Sequence, residues 1–161
     1  NKPLYQHALD LILKKYDHVI VVSQYDEILQ YAAQRGATSI LSLESIHGLS
    51  YSIKAAVNYL NTLEKPFRMI FMVADQPYIS MNTIDKLMHT KHKLASCAYK
   101  EKAGNPTLFD SSYIPELLLL KEDQGGRKVL NKHPDEVEYI QVENVKELYD
   151  IDYQEDLKQL Q

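Results

Sequence analysis

Apolar residues recur in two alternating rhythms along the first hundred positions. Leu4, Ala8, Leu11 and Ile12 fall at helical spacing, so residues 3–15 predict a helix with Pro3 in its first turn. HVIVVS (18–23) is continuous and β-branched, as a buried strand would be. YDEILQYAAQRG (25–36) reads as an amphipathic helix stopped by Gly36, and ATSILSL (37–43) as a weaker strand. Leu49, Ile53, Ala56, Val57 and Leu60 share one face of a helix over 48–63. A second buried strand follows at RMIFMVA (68–74), then a helix over 81–92 capped by Asn82 or Thr83, then a strand over 94–100. Strand–helix alternation of this kind builds a mostly parallel sheet.

The rhythm then changes. GNPTLFD (104–110) suggests a loop and a short strand, while YIPELLLL (113–120) and GGRKVLNKHP (125–134) suggest short helices. VEYIQVE (137–143) alternates like a half-exposed strand, and YQEDLKQL (153–160) predicts a final helix. The expected fold is α/β in three layers: a Rossmann-like sheet, mostly parallel, with helices on both faces. In such sheets ligands bind beyond the carboxyl ends of the strands.

Composition narrows the function more than the fold. The 161 residues suit one domain, expected to divide into a nucleotide-binding half (1–100) and an acceptor-binding half (101–161) once the resemblance below is taken in. A net charge of −4 argues against a nucleic-acid surface, which needs clustered cations, yet a small anionic substrate still fits a locally positive pocket. The single cysteine, Cys97, excludes an internal disulfide and a Cys-based zinc site, and reads as a small core residue. No apolar run approaches membrane length, so the expectation is a cytoplasmic protein without membrane partners. The chain opens on a helix, without Met, so residues before Asn1 are expected to supply a strand and loop.

Five stretches carry candidate chemistry, each with a plainer alternative. Asp75, in FMVADQPYIS, ends a greasy run; it is either a turn residue or a ligand for Mg²⁺, which commonly takes only one or two protein carboxylates. Asp150 and Asp152 in LYDIDYQED point the same way if the chain is extended; Asp152 is alternatively a helix cap completed by Glu155. Gly48, Leu49 and Ser50 open a helix whose free N–H groups favour an anion or polar ligand, or Ser50 is an ordinary N-cap. Gly104, Asn105 and Pro106 form either a tight turn or a backbone cradle. Arg127, after two glycines, is a solvated side chain or a phosphate fork.

In order, KPLYQHAL (2–9), GLSYSIKAAV (48–57), VADQPYI (73–79), GNPTLF (104–109), DQGGRKVL (123–130) and DIDYQEDL (150–157) resemble the MobA-like nucleotidyltransferases, most nearly the molybdenum cofactor cytidylyltransferases. The resemblance implies a nucleotide-diphospho-sugar transferase-like fold and transfer of CMP from CTP to molybdopterin. The products would be molybdopterin cytosine dinucleotide and pyrophosphate. It matches Asp75 and Asp152 to a Mg²⁺ site, Gly48, Leu49 and Ser50 to nucleotide contacts, and Gly104, Asn105, Pro106 and Arg127 to the acceptor. A molybdoenzyme partner is also implied. Asn105 stands where the family has His, and Tyr153 where it has Thr. The family's opening strand and Gly-rich loop, with its catalytic cations, would lie before Asn1. A guanylyl or sugar-phosphate transferase on the same fold, or a non-catalytic accessory protein for a molybdoenzyme, remain the alternatives.

Overall fold

The computed structural model describes residues 2–153, 155, 156 and 158. Among the described residues, six strands and six helices follow the predicted order: α1 (Leu4–Ile12), β1 (Ile20–Ser23), α2 (Asp26–Gln34), β2 (Thr38–Leu41), α3 (Leu49–Asn61), β3 (Arg68–Phe71), α4 (Met81–His89), β4 (Leu94–Tyr99), β5 (Lys102–Asp110), α5 (Ile114–Leu117), α6 (Arg127–Lys132) and β6 (Val137–Gln141). Short 3₁₀ turns cover Leu43–His47 and Val145–Leu148 among others. The predicted final helix at 153–160 lies partly outside the described residues.

β1 and β2 form a parallel pair. β3, β5, β4 and β6 form a second sheet in that order, in which β5 is antiparallel to both β3 and β4 while β6 is parallel to β4. β3, β4 and β6 therefore run the same way and β5 alone is reversed. Side chains leave a strand on alternate faces, and both faces are covered here. Leu94 and Phe109 point to one core, with Ile53 and Val57 of α3, Leu117 of α5 and Leu130 of α6. Ala95, Cys97 and Leu108 point to the other, with Leu87 of α4, Val142 and Leu148. Each fully buried Leu or Phe contributes roughly 1.5–3 kcal/mol. α3 also touches β1 and so spans the two sheets. No helix among the described residues is long and apolar enough to cross a membrane.

Several sequence expectations shift. The β5 stretch is not a loop and short strand but the longest strand of the fold. Its ladder with β4 pairs Ser96 with Thr107 and Cys97 with Gly104, which leaves Asn105 and Pro106 outside the register. Pro has no N–H to pair, so strands tolerate it only at such irregularities. β3 ends at Phe71, and Asp75 lies in the turn beyond it. Pro3 precedes α1 instead of lying within it, and α4 is capped by Ser80, whose hydroxyl accepts from the Thr83 N–H. HVIVVS is only half-buried up to Ser23, because β1 pairs with β2 on one edge alone among the described residues.

Candidate active site

The turn after β3 is stitched to a distant segment. The Ile151 N–H donates to the Asp75 carbonyl at 2.9 Å, and the Gln76 amide nitrogen donates to Asp150 Oδ1 at 2.8 Å. Ile151 is buried while Asp150 and Asp152 are exposed, so the two carboxylates stand on one side of an extended stretch beside Asp75. Just upstream, the buried Glu147 anchors the segment. Its Oε2 accepts from Ser80 N (3.0 Å), Ser80 Oγ (2.8 Å) and Thr83 Oγ1 (2.6 Å), which places a carboxylate at the N-terminus of α4, where the helix dipole favours it. Next to it, Leu148 packs on Gly104: a Cβ there would lie 3.2 Å from Leu148 Cδ2. A cleft of about 230 Å³ opens beside this segment, lined by Lys102, Asp150, Asp152 and Asp156 among others.

Asp75 is held at an electrostatic cost. Burial pushes its carboxyl pKa up, Asp150 pushes it further, its own backbone N–H offsets part of this, and Asp152 adds a smaller upward push. Its Oδ1 is buried without a hydrogen-bond partner among the described residues. A buried, unsatisfied oxygen beside two further carboxylates suits a hard divalent cation, which relieves the repulsion and accepts oxygen ligands. Among the described residues no three His, Cys, Asp or Glu side chains are grouped closely enough to hold a metal by themselves. Mg²⁺ does not need that many, since it keeps several waters and takes one or two carboxylates. One or two of the three carboxylates Asp75, Asp150 and Asp152 would meet that number.

The second group of candidates meets around the loop before α6. Gly48 has φ 141°, and a Cβ there would fall 2.3 Å from the Glu122 carbonyl carbon and oxygen, so only glycine fits. The Ser50 N–H donates to the Glu122 carbonyl at 3.0 Å. One of the free donors of α3 is thus used inside the chain. Ser50 is not the N-cap: Gly48 occupies that position, and Ser50 lies in the first turn with its Oγ buried and unpartnered. Leu49 is exposed and rests on Gly125, where a Cβ would approach its Cδ2 to 2.9 Å. A Cβ on Gly126 would meet Phe109 Cζ at 2.7 Å. The glycine pair therefore allows close packing.

Arg127 is not a solvated side chain. Its Nη2 donates to Ser96 Oγ at 2.9 Å and to the Gly104 carbonyl at 3.1 Å, and burial lowers its pKa. No carboxylate pairs with it among the described residues. Gly104 is thus the hinge of the arrangement. It takes Arg127 on its carbonyl and Leu148, next to the acidic segment, against its α-carbon.

Among the described residues no hydrogen bond links Gly48–Ser50 directly to Asp75. Sequence reasoning did not single out Gln76, Glu147 or Lys102, which the structure places around the acidic segment. Gln76 adjoins Asp75 in ADQP, which was the one local signal available.

The MobA-like NTP transferase domain matches residues 1–137. The chain belongs to the MobA-like NTP transferase family. No curated protein sequence matches it significantly. Several solved structures share the fold of this MobA-like protein. Rv0371c from Mycobacterium tuberculosis H37Rv, solved in complex with manganese, is 19% identical with a TM-score of 0.80, over 99% of this chain and 85% of that one. The 4-diphosphocytidyl-2C-methyl-D-erythritol synthase of Anaerococcus prevotii is 15% identical with a TM-score of 0.74, over 98% and 83%. Molybdopterin-guanine dinucleotide biosynthesis protein A from Archaeoglobus fulgidus is 19% identical with a TM-score of 0.62, over 94% and 82%. At these identities the likeness is one of fold, the nucleotide-diphospho-sugar transferase fold expected above. The MobA-like family places the chain among the nucleotidyltransferases.

Proposed function

We propose that this nucleotidyltransferase carries out Mg²⁺-dependent transfer of CMP from CTP to molybdopterin. The acceptor's terminal phosphate oxygen forms a bond to the α-phosphorus of CTP while the α–β phosphoanhydride bond breaks. Molybdopterin cytosine dinucleotide and pyrophosphate result. The observation that carries the metal-dependent part is the turn at Asp75: its side-chain Oδ1 is buried without a partner among the described residues, and its backbone carbonyl accepts from the Ile151 N–H of the Asp150–Asp152 stretch. The identity of base and acceptor rests on the order and content of the six motifs.

Asp75 and Asp152 would hold the Mg²⁺. The bound ion would offset charge on the phosphates as the transition state forms. The chain's own work is positioning, which dominates transfers of this type. Gly48, Leu49 and Ser50 would lie against the base and ribose, the Ser50 hydroxyl being buried and without a partner among the described residues. Asn105, freed from the β4–β5 ladder, would face the acceptor together with Gly104, while the fully buried Pro106 would shape that loop from beneath. Arg127 braces that loop through Gly104 and turns its remaining N–H donors to the acceptor phosphate. In this division residues 1–100 serve the nucleotide and residues 101–161 the acceptor. Asp152 is the exception, reaching back to Asp75. A molybdoenzyme would receive the product.

The test is a panel of CTP, GTP, ATP and UTP with molybdopterin and Mg²⁺, read by pyrophosphate release. Release with CTP well above the others supports the reading. Preference for GTP would favour a guanylyl transferase, and no release with any nucleotide would favour a binding protein.

A further inference from the structure

We propose that Gln76 is a positioning residue that fixes Asp150 beside Asp75, so that Asp150 faces the bound cation through its water shell. The inference rests on the metal-dependent reading above. Gln76 is only 3% exposed. Its Nε2 donates to Asp150 Oδ1 at 2.8 Å, while Oε1 on the same planar amide is buried and unpartnered. The orientation is chemically required, because an ionised carboxylate only accepts and the nitrogen must face it. Asp150 is otherwise an exposed carboxylate with a second oxygen free of protein partners among the described residues.

A buried amide that gives its donor to an exposed acid and leaves its acceptor without a donor is costly as it stands. The cost is relieved if waters on a bound cation donate to both free oxygens. Mg²⁺ and Mn²⁺ retain several such waters, and these donate to oxygens such as Gln76 Oε1 and Asp150 Oδ2. The same geometry explains why Asp150 need not be a direct ligand. The backbone bond from Ile151 to Asp75 fixes the main chain on one side of Asp150, and the Gln76 amide fixes its side chain.

The experiment titrates Mn²⁺ alone into the full chain and reads free ion by electron paramagnetic resonance. Wild type, Asp75→Asn, Asp150→Asn, Gln76→Met and the Gln76→Met/Asp150→Asn double variant are compared. Partners of metal ligands typically change affinity about 10–100-fold, so each of Asp150→Asn and Gln76→Met is expected to weaken Mn²⁺ binding about tenfold. The double variant should be no weaker than Asp150→Asn, because Gln76 acts through Asp150. A role confined to folding would shift the urea midpoint without this non-additivity. Wild-type affinity in Asp150→Asn, or losses that multiply in the double variant, would overturn the proposal. Asp150 is exposed, so that variant decides the matter even where Gln76→Met fails to fold. If wild type binds no Mn²⁺, or Asp75→Asn binds it normally, the metal-dependent reading falls and this inference with it. If Asp75→Asn abolishes binding while Asp150→Asn and Gln76→Met bind Mn²⁺ as tightly as wild type, only this inference falls.

Discussion

Glu147 offers a severe test of how the acidic segment is held. Replacing it by alanine removes the single carboxylate oxygen that accepts from the Ser80 N–H, the Ser80 hydroxyl and the Thr83 hydroxyl. Thr83 is 1% exposed, so water does not readily replace the lost acceptor there. Each buried donor left unsatisfied costs about 1–3 kcal/mol, and the hydrogen bonds lost are charge-assisted. The expected loss is about 3–5 kcal/mol for Glu147→Ala, and about 1–2 kcal/mol for Glu147→Gln, which keeps an acceptor but not the charge. With a slope near 2 kcal/mol/M, the alanine variant should lower the urea midpoint by about 2 M. The assay is equilibrium unfolding followed by circular dichroism. Because Glu147 anchors the chain just before Asp150, Mn²⁺ binding should weaken as well. A midpoint shift below about 0.5 M for Glu147→Ala would refute the reasoning and deny the carboxylate its anchoring role.

Three further outcomes follow from the geometry. Gly126→Ala should cost about 1–3 kcal/mol in a denaturation experiment, since its Cβ would meet the buried Phe109 ring at 2.7 Å. Arg127→Lys should impair use of the acceptor more than use of CTP in steady-state kinetics, because a lysine cannot both brace the Gly104 carbonyl and offer a planar fork. Burial pushes the Cys97 thiol up to about 12, with Glu147 adding to the effect. Its folded pKa is above the unfolded one, so its contribution to stability is intact below the ordinary thiol value near 9 and is lost as pH rises towards 12. A thiol reagent at pH 8 should therefore leave native Cys97 unmodified and label it only after unfolding.

The elements most legible in sequence were those with uninterrupted periodicity, such as α3 and β4. β5 was obscured because Gly104 and Pro106 carry turn signals, and only the irregular pairing with β4 accommodates them within a strand. The half-burial of β1 was equally hidden, since an apolar run does not show how many neighbours its strand will have. Asp75 was visible as a carboxylate after an apolar run, and the structure places its turn beside Asp150 and Asp152. What holds them there was not visible. Glu147 and Gln76 lie 67 and 74 residues from their partners Ser80 and Asp150, beyond any local pattern. The glycines of GLS and DQGGR sit beside candidate ligand contacts, yet much of their need for small size comes from packing against one another's loops and Phe109.

The most direct test compares wild type and Asp75→Asn for pyrophosphate release from CTP with molybdopterin and Mg²⁺. The substitution keeps size and polarity but removes the charge from the turn whose buried oxygen lacks a partner. The account predicts Mg²⁺-dependent release by wild type and a fall of at least about 100-fold in Asp75→Asn, with the fold intact by circular dichroism. Release by Asp75→Asn within a few-fold of wild type would contradict it and reduce Asp75 to a turn residue.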